Sequence, residues 1–160
     1  MIFRVGFGFD VHQLGENREF WLGGVLLNYN KGAIGHSDAD VLIHAICDAL
    51  LGAANLGDIG VHFPDTSAEY KNIDSKILLK QVAQLLSEKN FSIGNIDSTV
   101  CLEAPKIKPY IPAMQEALAA VMNVDTEQVS IKATTNEKMG FIGRQEGLVA
   151  YATVLIYKKD

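Results

Sequence analysis

The sequence predicts an α+β fold: a mixed β-sheet with helices packed on one face, in a two-layer, ferredoxin-like arrangement. Three observations lead there. Apolar residues recur at three-and-four spacing in three separated segments, the mark of amphipathic helices. Strand-like runs stand between and around those segments without regular alternation. A Gly23-Gly24 pair divides two apolar triplets and so reads as a hairpin turn, which brings an antiparallel element into the chain. At 160 residues, 48% hydrophobic and 21% charged, the chain reads as one domain over 1–160 and buries roughly 70% of its unfolded surface without staples.

Taken in order, Phe3 to Asp10 reads as a strand loosened by Gly6 and Gly8, and glycines in a strand mark a bulge or a close backbone approach. It runs into Asp10-Val11-His12, where residues two apart project to the same side of an extended chain. Phe20 to Leu27 is the hairpin, and Asn28 to Gly35 a polar loop. The stretch from His36 to Asp65 is built on a helix whose apolar stripe is Val41, Leu42, Ala45, Ile46, Ala49, Leu50 and Ala53. Asp40, His44, Cys47 and Asp48 fall together on its other face. Ser37 with Asp40 three positions on makes a capping-box start, and Gly52 to Gly57 supplies the stop. A second helix has Asp74 as its cap and Ile77, Leu78, Val82, Leu85 and Leu86 on its apolar face. Ile93 to Glu103 is a strand, followed by the rigid turn Ala104-Pro105-Lys106. A third helix carries Pro112 in its first turn, where a missing N–H costs little, with Ile111, Met114, Leu118, Val121 and Met122 inward. Val129 to Thr135 and Leu148 to Tyr157 are strands joined by a Gly- and charge-rich connection.

A net charge of −5 with no long Lys/Arg run argues against nucleic acid as a partner. Cys47 and Cys101 make no disulfide framework and suit a reducing compartment as small buried hydrophobes. No apolar run reaches the ~20 residues of a membrane span, and the amino terminus offers none of signal-peptide length. The expectation is a soluble, cytoplasmic protein that uses no membrane.

Three of the four histidines lie between His36 and Asp65, and the fourth, His12, stands beside Asp10. Two imidazoles and a carboxylate with an open fourth position recur at catalytic zinc centres, so Asp10, His12 and His44 form a candidate metal set. The plain alternative is a strand-end Asp closing a turn and two unconnected polar histidines. His44 with Cys47 one turn later is a rival donor pair. Asp40 serves equally as a cap, and Asp48 reads as a solvated or supporting carboxylate rather than a ligand. His36, just before a helix, suits an anion or simply steadies its loop. Thr134-Thr135-Asn136-Glu137-Lys138 offers hydroxyls and N–H groups for phosphate oxygens, with Glu137 a candidate for a hard divalent cation. A plain polar turn accounts for it equally well.

Together these motifs resemble the 2-C-methyl-D-erythritol 2,4-cyclodiphosphate synthase family of the non-mevalonate isoprenoid pathway. The likeness covers essentially the whole chain. It rests on Asp10-Val11-His12; on Gly35 to Asp40 running into Leu50 to Ala53; and on Gly57 to Gly60 with His62 to Thr66. Ala104-Pro105-Lys106, Lys132 to Thr135, Glu137-Lys138, Gly140-Phe141, Gly143-Arg144 and Glu146-Gly147 complete it. Ser67 departs from an acidic residue expected in some relatives.

The resemblance implies a phosphorus–oxygen lyase, assembled as a homotrimer with active sites at the subunit interfaces. Its substrate would be 4-diphosphocytidyl-2-C-methyl-D-erythritol 2-phosphate, closed to the cyclic diphosphate with release of CMP. Zinc falls to Asp10, His12 and His44, and magnesium or manganese to Glu137, with His36 and Thr135 steadying the transferring phosphoryl group. Ser37, Asp58, Ile59, Gly60, Phe63, Pro64 and Asp65 would line the erythritol and phosphate end. Leu102, Glu103, Ala104, Pro105, Lys106, Ile107 and Lys108, with Ala133 and Thr134, would form the cytidine pocket. Phe9, Phe141 and Arg144 resemble residues of a central channel where a prenyl diphosphate would sit. Aromatic core packing and an intersubunit Arg144–Glu146 ion pair is the competing account. Two other activities fit the same motifs: a zinc-dependent phosphohydrolase acting on a nucleoside diphosphate derivative, and a non-catalytic nucleotide-binding trimer.

Overall fold

The computed structural model describes residues 2–158. The first strand, β1 (Ile2–Glu16), is twice the length that its sequence suggests and carries both Asp10 and His12 within it. Its extension is held from both sides. Residues Ile2 to Gln13 pair antiparallel with the last strand, β7 (Gly147–Lys158), and Gln13 to Glu16 pair with the short edge strand β4 (Lys31–Ile34). The expected loop over Asn28 to Gly35 is therefore partly strand, because β1 offers it an open edge.

β2 (Phe20–Leu22) and β3 (Val25–Leu27) form the predicted hairpin, and Gly23 and Gly24 both adopt positive φ, as a type I′ turn demands. α1 (Val41–Ala53) follows. Its N-cap is Asp40, whose side chain accepts from the Ile43 N–H, so the helix begins at Asp40 and not at a Ser37 capping box. Asp40 is fully buried and also accepts the Gly23 and Gly24 N–H groups at 2.9 and 2.7 Å. One carboxylate thus pins the hairpin turn to the helix start. The helix is not amphipathic in place: Ile43, Cys47 and Leu51 are as buried as the predicted stripe, and only His44, Asp48 and Gly52 reach a surface or cavity.

Gly6 and Gly8 explain how α1 reaches β1. A Cβ on Gly6 would lie 1.9 Å from the Ala49 carbonyl oxygen, and one on Gly8 1.9 Å from that of Ala45. Helix backbone sits directly on strand backbone, and that contact sets His44 beside Asp10.

α2 (Ile59–His62) is a single turn in a stretch to which the sequence assigns no element. α3 (Ser75–Glu88) has the Asp74 cap, but it buries Ser75 and Leu79 where Ile77 was expected, since Ile77 is exposed. β5 (Ser92–Cys101) pairs antiparallel with β7 and parallel with β6 (Val129–Thr134), reached through the crossover helix α4 (Ile111–Met122). α5 (Gly140–Gly143) is one turn in the connection before β7.

The sheet order is β4-β1-β7-β5-β6. The two-layer mixed sheet with helices packed on it is as expected, while the ferredoxin-like connectivity is only half present. β1 and β5 are parallel with β7 inserted between them, a split β-α-β unit. β5 and β6, however, are direct neighbours, where a ferredoxin-like chain would insert a strand between them. The face of the sheet away from the helices is open and apolar: Phe3, Val5, Phe7, Phe9 and Val11 alternate along β1, with Tyr151 beside Phe7 and Phe9. No helix among the described residues is long and apolar enough to cross a membrane.

Candidate metal centre and flanking cavities

β1 delivers Asp10 and His12 to one side, as their spacing requires, and α1 brings His44 across from them. Asp10 Oδ2 lies 3.1 Å from His12 Nε2 and 3.0 Å from His44 Nδ1, and the two ring nitrogens are 3.2 Å apart. Donor atoms around a tetrahedral centre with bonds of about 2.0 Å stand about 3.3 Å apart, so this triangle fits a zinc-sized cation. Among the described residues these three make the one group of His, Cys, Asp and Glu side chains close enough to share a metal. The rival His44/Cys47 pair is excluded, because Cys47 is fully buried in the core and burial pushes its thiol well above the ordinary range.

Charge and burial compete within the triangle. Burial disfavours ionised Asp10, but hydrogen bonds and charge from His12 and His44 outweigh it and hold the carboxyl down to about 2. Burial likewise opposes protonation of His44, and the Asp10 carboxylate, with Asp40 and Asp38 behind it, overrides that and raises its pKa. Before a cation binds, the three side chains are thus a hydrogen-bonded ion pair that a metal would replace.

The far side of His44 is equally organised. Its Nε2 lies 3.0 Å from Ser75 Oγ and 3.1 Å from Ser37 Oγ. Ser75 donates its hydroxyl to Asp38, and its backbone N–H donates to the other Asp38 oxygen at 2.9 Å. In the sequence Asp38 stands within the Gly35 to Asp40 motif with no role of its own, and Asp74-Ser75 reads only as a helix start.

A cavity of about 560 Å³ opens over the triad, lined by His12, His36, Ser37, His44, Ile59, Gly60, Phe63, Pro64 and Asp65. Thr66, Tyr70 and Leu78 also line it and were missed, since nothing in their spacing marks them. His36 donates from Nε2 to the Ser67 carbonyl at 3.0 Å, which ties it to the loop opposite. Asp58 caps α2 through the Val61 N–H and is not among the lining residues. Asp48 accepts the Ile59 N–H at 2.7 Å, the supporting part expected of it, and so holds the cavity wall to α1. His62 is occupied with the Leu56 carbonyl.

The second predicted group gathers elsewhere. Leu102, Glu103, Pro105, Lys106, Ile107, Lys108, Ala133, Thr134 and Thr135 surround a separate cavity of about 180 Å³. Ala104 forms the cis peptide bond with Pro105 at its rim. Glu137 adopts positive φ and accepts from Thr135 Oγ1 at 3.3 Å. No described residue lines both cavities. Phe141 lies in a third depression with Val11 and His12, and Arg144 forms a two-point pair with Glu146 of its own chain, at 2.9 Å each. Two residues apart, these side chains pair with each other within one chain.

Residues 3–157 match the model of the YgbB family. A protein of Bacteroides thetaiotaomicron named 2-C-methyl-D-erythritol 2,4-cyclodiphosphate synthase is 66% identical over 158 residues, 99% of each chain. A Phocaeicola vulgatus protein of the same name is 62% identical over the full length of both. Among solved structures, the bifunctional IspDF of Campylobacter jejuni superposes with a TM-score of 0.96 at 45% identity, covering 99% of this chain and 43% of that one. IspF of Plasmodium falciparum, solved as a CDP complex, superposes with a TM-score of 0.87 at 35% identity over 99% of this chain and 97% of its own.

Proposed function

Because this chain belongs to the YgbB family, we propose that it converts 4-diphosphocytidyl-2-C-methyl-D-erythritol 2-phosphate to 2-C-methyl-D-erythritol 2,4-cyclodiphosphate and CMP. The observation that carries this reading is the convergence of Asp10, His12 and His44 beneath a cavity that also holds His36, Ser37 and the Ile59–Gly60 backbone.

The chemistry asks little of the protein beyond placement and charge. A phosphate monoester has its second pKa near 6, so the attacking 2-phosphate is already ionised at neutral pH and needs no side-chain base. Holding it in line with the β-phosphorus can supply roughly 7–11 kcal/mol of the barrier. Asp10, His12 and His44 would hold zinc, and Glu137 magnesium or manganese, which supply Lewis-acid polarisation of phosphoryl oxygens in an otherwise acidic chain. Ser37, Gly60, Phe63 and Asp65 orient the erythritol end, and Asp58 holds the α2 turn that carries Gly60. His36 and Thr135 would steady the phosphoryl group as the P–O bond to CMP breaks, once their protons turn from the Ser67 carbonyl and from Glu137. The cytidine base sits in the cavity framed by Leu102, Pro105, Lys106 and Ala133, and the CDP complex of the Plasmodium relative supports nucleotide recognition.

Within one chain that cavity and the cavity over the metal triad are lined by different residues, which supports a substrate shared between chains. An apolar sheet face with Val5 68% and Phe7 65% exposed needs covering of the same kind. A homotrimer, with the sheets facing its axis and located in the cytoplasm, answers both requirements. Phe9, Phe141 and Arg144 then border the axis, where a prenyl diphosphate would bind.

Incubation of the protein with the cytidyl substrate, zinc and magnesium in ¹⁸O-water should release CMP and a cyclic product free of solvent oxygen. His44→Ala should lose bound zinc and CMP release together. Solvent oxygen in the product would make the protein a hydrolase, and normal turnover by zinc-depleted His44→Ala would remove the triad from the reaction.

A further inference from the structure

We propose that Asp38 and Ser75, which belong neither to the ligand triad nor to the lining of the cavity above it, are positioning residues that set the metal affinity of the centre by fixing the His44 imidazole. The inference rests on the reading of Asp10, His12 and His44 as metal ligands and adds two residues to it.

The direction of the hydrogen bonds follows from the partners. The Asp38 side chain is the acceptor in both of its contacts with Ser75. It takes the Ser75 hydroxyl proton on one oxygen and the Ser75 backbone N–H, at 2.9 Å, on the other. With its own proton committed, Ser75 Oγ can only accept from the His44 Nε2 that lies 3.0 Å away. Ser37 Oγ, 3.1 Å from the same nitrogen, already accepts the Ala39 N–H and adds a second acceptor lone pair. The chain Nε2–H to Ser75 to Asp38 therefore places the imidazole proton on Nε2. Nδ1 faces Asp10 Oδ2 and His12 Nε2, at 3.0 and 3.2 Å, so that once a cation displaces the proton shared with Asp10 its lone pair points at the metal position.

Ser75 is fully buried and opens α3, and Asp38 lies in the turn before α1. Two elements that contribute no ligand thus hold the ring of the one ligand that comes from a helix. A carboxylate acting through a hydroxyl raises the basicity of the ligating nitrogen as well as aiming it. Partners of this kind are worth 10- to 100-fold in metal affinity.

The test is zinc affinity of the full-length protein, measured by competition with a chelator of known affinity, alongside the ¹H resonance of His44 Nε2–H in the zinc-loaded state. Wild type should show a downfield proton that exchanges slowly with water. Ser75→Ala should bind zinc 10- to 100-fold more weakly, lose the slow exchange and keep its far-UV circular dichroism. Asp38→Asn presents an amide that can donate to Ser75 and reverse the chain, so it should weaken zinc comparably, and it carries the test should Ser75→Ala not fold. Zinc affinity within twofold of wild type in either folded variant would overturn the proposal. Failure of the underlying metal reading looks different: wild type would bind no zinc, or His44→Ala would bind it unchanged.

Discussion

At the scale of single residues, the candidate centre is a balance between burial and charge. Asp10 is held to about 2 against an ordinary 3.8, with burial opposing and the two imidazoles prevailing. A carboxyl whose folded pKa lies below its unfolded value stabilises the fold above the unfolded value and loses that contribution as pH falls through the folded one. In metal-free protein the contribution should therefore be complete above pH 4 and fade toward pH 2, and it is worth roughly 2 kcal/mol. Urea unfolding of metal-free wild type and Asp10→Asn should show wild type more stable at pH 5 and the two converging near pH 2. A gap that stays constant over that range would mean that Asp10 contributes by packing alone. Asp40 illustrates the opposite outcome: burial raises its pKa, and N–H groups of Gly24, Ile43 and Gly23 pull against that rise. It is structural, in line with its reading as a cap, although the sequence could not show that it also fastens the hairpin.

Among the elements, the seating of α1 on β1 decides whether the centre forms. Gly8 has backbone on its helix side, with the Ala45 oxygen 1.9 Å and the Ala49 nitrogen 2.7 Å from where a Cβ would stand. Backbone atoms cannot rotate away, so Gly8→Ala should push the helix outward and cost about 3 kcal/mol or more, beyond ordinary overpacking. It should also weaken zinc binding by separating His44 from Asp10. Gly52, at the other end of the same helix, has open space where its Cβ would lie. Gly52→Ala should stabilise by about 0.5–1 kcal/mol through helix propensity. Denaturant unfolding of the pair checks both signs, and equal effects would mean that the close approach does not constrain the helix.

For the whole molecule, the open apolar face and the two separate cavities make the same demand. Phe7 stands 65% exposed at the middle of that face, opposite Thr153 and beside Tyr151. Phe7→Lys should place a charge where the sheets of a trimer would meet. Light scattering should then report a shift from trimer toward monomer, while the far-UV circular dichroism is preserved. CMP release should fall with it, since the cytidine cavity and the triad would part company. Full turnover by a monomeric variant would show that one chain suffices.

Local periodicity and residue chemistry were enough to read one part of this molecule. The three long helices, the Gly23-Gly24 hairpin, the i, i+2 pairing of Asp10 with His12 and the order of the family motifs all follow from neighbours along the chain. The other part depends on partners far apart along the chain. β1 runs on to Glu16 because β7 and β4 supply edges for it to pair with. α1 is buried all round because the sheet lies on one side and α3 and the hairpin on the other, so its polar face shrinks to His44 and Asp48. Asp38 and Ser75, 37 residues apart, share a hydrogen-bond chain only because α3 docks against the turn before α1. Periodicity reports which side of an element faces inward, whereas partners this far apart along the chain are chosen by how the elements pack.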